Sequence, residues 1–229
     1  PLSRKSFPKQ FIPLIEDKSL LQETMARAKL LSEDGSVWTV ASEEHRFLVQ
    51  QAAASAETKC LSFLEPVARN TAAAMAIAAL NASSNTMLLF LPADHYIPDT
   101  DLFISTIRSV VSEAEKGHFV IFGISPTSPN CGYGYIQIEN SDETVHKVKR
   151  FVEKPELNQA VKYLASGDYF WNSGMFLCAA KTLIDGLRQF APDILDQVQK
   201  SVEMQKLDGD FIHLDEDSLK LCRSQSIDY

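Results

Sequence analysis

The sequence has no apolar run long enough to cross a bilayer: its longest strongly apolar stretch, residues 87–91, falls far short of the roughly 18 residues a spanning helix needs. Its first residues show no charged start followed by an apolar segment. Cysteine is scarce, with Cys60, Cys131, Cys178 and Cys222 in no C-x-x-C spacing, so reduced thiols in a cytoplasmic protein are the expectation. Positive charge is outnumbered: 22 Lys and Arg against 30 Asp and Glu give a net charge of −8, which argues against a dedicated nucleic-acid or anionic-membrane surface. Repeats and low-complexity tracts are absent as well. What is present is ordinary globular usage, 45% hydrophobic and 23% charged over 229 residues, enough for one large α/β domain or two small ones. The chain starts at Pro1 without a methionine and stops at Tyr229 inside an ordered-looking segment, so a piece of a longer protein is expected.

Strand-like and helix-like stretches alternate, the pattern of a sheet with crossover helices. Strands are expected over residues 36–41, 60–64, 86–91, 119–122 and 145–152, and helices over 43–55, 70–81, 156–164 and 180–190. A further amphipathic helix runs to Lys116 from Asp99 or Asp101 as cap. Residues 124–140, rich in Ser, Pro, Gly, Asn and Tyr, read as one long substrate loop. Residues 169–178 read as a strand interrupted at Asn172-Ser173-Gly174, and residues 191–229 as a helical cover over the sheet.

Several constellations could carry chemistry. Asp94 follows the best central strand, where open α/β sheets bind ligands; it is either a cation ligand or the cap of the next helix. Glu65-Pro66 followed by Arg69-Asn70-Thr71 leads a strand into a helix and suits a phosphate or a purine edge, or simply caps that helix. Gly132 and Gly134 allow close backbone approach while Tyr133 and Tyr135 offer rings to a sugar, without the third glycine of a dinucleotide fingerprint. Glu153-Lys154 could hold sugar hydroxyls and a phosphate, or be an exposed ion pair. The Asn172-Ser173-Gly174 break in an apolar strand marks a bulge or a ligand against the backbone. A small basic patch, Arg4, Lys5 and Lys9, could meet a polyphosphate, and Asp228 lies near the other end.

Taken together and in order, the segments at 1–5 and 8–11, 44–47, 65–71, 91–95, 132–135, 151–155, 171–176 and 226–229 resemble the sugar nucleotidyltransferases, and among them the bacterial mannose-1-phosphate guanylyltransferases. Two positions depart from the family's G-R-N-T-A-P-A pattern: Ala68 stands for its glycine and Ala73 for its proline. The resemblance also implies a glycine-rich loop directly before Pro1, not included in this chain, and, in the family's long form, a cupin-like isomerase domain beyond Tyr229.

The resemblance implies an α/β, Rossmann-like fold with a mixed, mainly parallel sheet flanked by helices, forming a single nucleotidyltransferase domain over residues 1–229. It implies GDP-mannose and pyrophosphate made from GTP and mannose 1-phosphate by in-line attack on the α-phosphorus, with Mg2+ as cofactor. By the same resemblance Asp94 and Asp228 hold the metal, Arg4 and Lys9 face the nucleotide phosphates, and Lys154 meets the sugar phosphate. Arg69, Asn70 and Thr71 fall on the guanine side, with Glu65 beside them as a substrate-binding residue; Glu153, Asn172 and the Gly134 backbone read the mannose hydroxyls. No nucleic acid or membrane partner is expected, and a homodimer is compatible with the pattern. Rival readings are a nucleotidyltransferase for another sugar 1-phosphate, and a catalytically silent nucleotide-sugar binding or regulatory subunit.

Overall fold

The computed structural model of the protein describes residue 4 and residues 7–139 and 144–229, so Pro1 and, of the basic patch, Lys5 lie outside the described residues. A short hairpin, β1 (Pro13–Ile15) and β2 (Lys18–Ser19), leads into α1 (Leu20–Lys29). Ser19 caps α1, its side chain accepting from the Gln22 N–H at 3.2 Å. Strands and helices then alternate: β3 (Ser36–Ser42), α2 (Arg46–Ser55), β4 (Lys59–Glu65), α3 (Asn70–Asn81), β5 (Met87–Phe90) and α4 (Thr100–Glu115). Asp99, not Asp101, caps α4 by accepting from the Leu102 N–H at 2.9 Å. The remainder comprises β6 (Val120–Ile124), β7 (Tyr135–Ile138), β8 (Val148–Val152), α5 (Leu157–Ser166), β9 (Tyr169–Ala179), α6 (Ala180–Phe190), α7 (Pro192–Glu203), β10 (Lys206–Asp208), β11 (Phe211–His213) and α8 (Glu216–Leu221).

The strands form a mixed α/β system. One sheet has the order β10-β11-β4-β3, with β3 and β11 both parallel to β4 and β10 antiparallel to β11. The other is organised around β9, which pairs antiparallel with β5, β6 and β7, while β8 pairs with β7. Helix α3 lies under both. Its alanines 72, 73, 76 and 79 are fully or almost fully buried, and the lack of bulk lets the helix approach Val40 of β3, Phe63 of β4 and Leu88 and Phe90 of β5 closely. Helices α6, α7 and α8 complete that core layer through Leu183, Leu187, Ile194, Val198 and Leu219. On other faces α1 packs with α2 through Met25 and Val49, and α4 packs through Phe103 and Ile107 on β6 and β9.

Three expectations change. The stretch 124–140 is not all loop, because Tyr135–Ile138 pairs with both β8 and β9 as strand β7. Its alternation is short, and the glycines just before it mask the strand. Residues 191–229 are not a purely helical cover, since the hairpin β10–β11 turns at Gly209 (φ 59°) and adds β11 to the edge of β4. Finally, β9 is continuous through Asn172-Ser173-Gly174, but its ladder is not. On one edge β9 passes from β7, paired at residues 169–171, to β5, paired at 176–179. Between them the side chains stand in for the missing strand: Asn172 Oδ1 accepts from the Gly174 N–H at 3.1 Å and Ser173 Oγ from the Met175 N–H at 3.2 Å.

Candidate active site

The handover along β9 leaves a place where several loops meet. Asn172 stands at its centre. Its backbone N–H donates to the Gly134 carbonyl at 2.7 Å, its Nδ2 donates to Asp228 Oδ1 at 3.0 Å, and its Oδ1 holds Gly174 as described. Gly174 sits at φ 72°, a backbone conformation glycine adopts without steric cost, and a β-carbon there would meet Pro92 at 3.4 Å. Pro92, at the start of the turn carrying Asp94, therefore lies next to Gly174.

Gly134 is required by close approach. A β-carbon at this position would lie 2.6 Å from Glu153 Oε2, 2.9 Å from Phe151 Cζ and 3.4 Å from Asn172 Cβ. Glu153 in turn pairs with Lys154, Nζ to Oε1 at 3.0 Å. Lys154 itself takes a positive φ of 43°, turning the chain out of β8. The Glu153 carboxylate raises the Lys154 ammonium above its ordinary value, with Tyr229 and Asp228 adding to the effect. Gly134, Glu153, Lys154, Asn172 and Asp228 therefore form one neighbourhood.

Asp228 is held from the α3 side. Its Oδ2 accepts from Ser226 Oγ at 2.7 Å, Ser226 Oγ lies 3.1 Å from Thr71 Oγ1, and Thr71 Oγ1 accepts from the Ile227 N–H at 2.9 Å. Asn70, at φ 69°, uses its Oδ1 to accept from the Thr71 N–H at 2.8 Å. Arg69 is occupied differently from the purine or phosphate contact its sequence suggests. Its Nε and Nη2 donate to the Leu219 and Lys220 carbonyls, both at 2.6 Å, closing the C-terminal end of α8. In this structure it is a tether between the start of α3 and α8.

Asp94, on the turn after β5, has contacts of its own. Lys9 Nζ lies 2.7 Å from its Oδ2, and His95 Nε2 lies 4.0 Å from its Oδ1. Burial pushes the His95 imidazole below its usual value, and the nearby Arg27 and Lys9 cations do the same, against the pull of Asp94. Arg4 lies apart, in an exposed turn closed by backbone hydrogen bonds with Phe7; among the described contacts no side-chain bond ties it to Asp94.

Glu65 ends β4 beside Arg69. It is 7% exposed, the Arg69 backbone hydrogen-bonds to its carboxylate, its Oε1 has no partner among the described residues, and burial pushes it up to about 7. The two tyrosines separate in role. Tyr133 is exposed and packs on Trp171 at 5.0 Å between ring centroids, so it offers a face to a ligand. Tyr135 is fully buried, with its hydroxyl bonded to both the N–H and the carbonyl of Asn130, so its ring is a core element and not a sugar platform.

The cysteines are free thiols, and among the described residues no helix is long and apolar enough to cross a membrane. The sequence does not single out Ser226 or Arg27; the first shows through its bonds to Thr71 and Asp228, the second through its contact with His95.

A nucleotidyl transferase family model matches residues 1–217. The xanthan biosynthesis protein XanB of Xanthomonas campestris pv. campestris is 45% identical over 233 residues, spanning 100% of this chain and 50% of that protein. A mannose-1-phosphate guanylyltransferase of Escherichia coli is 43% identical over 237 residues, again 100% of this chain and 50% of the relative. Among solved structures, a Helicobacter pylori protein described as mannose-6-phosphate isomerase superposes with a TM-score of 0.89 at 32% identity, covering 98% of this chain and 88% of that one. The chain spans about half the length of the curated relatives it matches. It belongs to the nucleotidyl transferase family.

Proposed function

We propose that this chain carries the guanylyltransferase centre of a protein that makes GDP-mannose and pyrophosphate from GTP and mannose 1-phosphate. A sugar-phosphate oxygen attacks the α-phosphorus, a new P–O bond forms, and the bond from the α-phosphorus to the bridging oxygen breaks so that pyrophosphate leaves. The observation that carries the reading is the joining of Gly134, Glu153, Asn172 and Asp228 into one hydrogen-bonded and close-packed group, with Lys154 ion-paired to Glu153. That group supplies acceptors for sugar hydroxyls and a cation for the sugar phosphate. The names of the curated relatives support the choice of base and sugar.

Nucleotidyl transferases of this kind generally use a divalent metal, which we take to be Mg2+. The donor set suits it. Asp94 and Asp228 are hard oxygen ligands, and among the described residues no group of three or more His, Cys, Asp or Glu forms a closed cage. Mg2+ is commonly held by one or two carboxylates, with the remaining positions left to water and substrate phosphates. When bound it would neutralise charge on the phosphates. The chain's own part is positional: Lys9 orients Asp94 and adds positive charge, Thr71 and Ser226 hold the segment carrying Asp228, and Asn172 couples Asp228 to the sugar side. We place Glu65, Asn70 and Thr71 toward the base and Arg4 toward the nucleotide phosphates.

The test is pyrophosphate release by the full-length protein with magnesium, each nucleoside triphosphate in turn, and mannose 1-phosphate or glucose 1-phosphate as acceptor. Release that requires GTP and mannose 1-phosphate is the expected result. No release with any pair, while GDP-mannose still binds, would establish a silent binding subunit instead.

A further inference from the structure

Arg27 is an anomaly among the buried residues. It is 4% exposed, inside the fold on α1, and among the described residues only one of its guanidinium nitrogens has partners. Nη2 donates to Thr24 Oγ1 at 3.0 Å and to the carbonyl of His95 at 3.1 Å; Nε and Nη1 are buried with no partner among the described residues. The surrounding pocket is lined by Thr24, Leu91, Pro92, Ile97, Phe103 and Met175 and leaves no room for a water molecule. The guanidinium carbon lies 6.0 Å from the Phe103 ring centre, and burial lowers the Arg27 pKa.

Two orphaned donors on a buried cation are costly, and a methionine or leucine of similar reach would serve packing at least as well. What such a residue could not do is hold the His95 carbonyl. That carbonyl belongs to the turn running from Pro92 to His95, whose only carboxylate is Asp94, and it is 68 positions away from Arg27. Thr24 completes the device. Its hydroxyl donates back to the Leu20 carbonyl at 2.8 Å, so its oxygen is oriented to accept from Arg27.

We propose that Arg27 is a positioning residue: from inside the fold it clamps the Asp94 turn through the His95 carbonyl and so fixes the direction of the Asp94 carboxylate toward the divalent metal. This rests on the metal reading of Asp94 given above. Residues that orient a ligand from behind typically change metal affinity by 10- to 100-fold when removed.

The experiment measures Mn2+ binding to full-length protein in the presence of GTP, by the loss of the free-Mn2+ electron paramagnetic resonance signal, for wild type, Asp94→Ala, Arg27→Met and Thr24→Val, with thermal unfolding of each. Arg27→Met is expected to melt at or above the wild-type temperature yet to bind Mn2+ about tenfold more weakly. Thr24→Val should weaken binding less, and the double variant should be no weaker than Arg27→Met alone, because both act through one clamp. Wild-type affinity in a folded Arg27→Met would overturn the proposal. Should Arg27→Met not fold, Thr24→Val decides, with unchanged affinity overturning the clamp and weakened affinity supporting it. Asp94→Ala binding Mn2+ as wild type does would remove the metal reading and the clamp together. Mn2+ binding with the expected pattern, but no pyrophosphate release from mannose 1-phosphate, would leave the clamp standing and remove only the proposed sugar chemistry.

Discussion

Thr71 and Ile227 lie 156 positions apart in the chain, yet the Ile227 N–H donates to Thr71 Oγ1 at 2.9 Å, and this bond fixes the stretch of backbone that presents Asp228. The Thr71 oxygen also meets Ser226 Oγ, which itself donates to Asp228, so one hydroxyl on α3 governs two of the contacts behind the carboxylate. Thr71→Ala should lower kcat by about fivefold to tenfold, in line with roughly 1 kcal/mol for a hydrogen bond of this kind, with little change in melting temperature. Thr71→Ser keeps the oxygen and should stay within about twofold of wild type. Steady-state kinetics of the pair decide it: equal losses in both variants would show that the methyl group matters and the hydroxyl does not.

Gly134 makes a steric prediction. With Glu153 Oε2 at 2.6 Å and Phe151 Cζ at 2.9 Å from any added β-carbon, Gly134→Ala must displace Glu153, Phe151 or the strand itself. Overpacking of this degree costs about 1–3 kcal/mol. The expected result is a lower melting temperature and a Michaelis constant for the sugar phosphate raised at least several-fold, with that for GTP nearly unchanged. A variant with unaltered sugar-phosphate kinetics would place the acceptor elsewhere.

How far the sequence reveals these features depends on the range of the interaction. Helix α3 spans the residues its composition marks, because an alanine run bounded by Asn70 and Asn81 is a local signal, and α6 begins at Ala180 and ends at Phe190 as its periodicity indicates. Helix α1 escapes such reading because polar Thr24 and charged Arg27 sit among its buried positions. Strand β7 hides behind glycine and tyrosine, and Tyr135 resembles a sugar platform until Asn130 is seen to hold its hydroxyl. At the site, the residue types at Asp94, Glu153, Asn172 and Asp228 are legible as chemistry. What holds them is not, since the bonds from Thr71 to Ile227, Asn172 to Asp228 and Arg27 to His95 join distant positions and leave no periodic trace.

The proposed roles of Lys154 and the two aspartates predict that binding and catalysis separate. Lys154 is exposed and, among the described residues, ion-paired with Glu153, so Lys154→Ala should leave the fold intact. It should raise the Michaelis constant for mannose 1-phosphate about tenfold or more while moving that for GTP by less than about twofold. Asp94→Asn and Asp228→Asn should instead reduce kcat by at least about 100-fold, because on the proposed metal assignment each removes a negative oxygen ligand. Near-normal turnover in either asparagine variant, at saturating magnesium, would contradict the metal assignment, and an equal Lys154→Ala effect on both substrates would contradict the sugar-phosphate role.

Glu65 predicts how stability varies with pH. Burial holds its carboxyl at about 7 in the folded protein, against an ordinary value of 4.5. As pH rises from about 4.5, the unfolded chain releases this proton while the folded chain retains it, so the unfolded state binds fewer protons and stability falls. The decline ends near pH 7, where the folded form ionises too. At about 1.4 kcal/mol per pH unit the whole contribution is on the order of 3 kcal/mol. Glu65→Gln has no proton to release, so the difference in unfolding free energy between it and wild type should shift in favour of the glutamine variant by roughly that amount between pH 4 and pH 8. Urea denaturation of both proteins across this range measures the difference directly. A difference that stays flat with pH would mean that Glu65 ionises in the fold as readily as in the unfolded chain, and its unpartnered Oε1 would then need a hydrogen-bond donor that the burial argument does not supply.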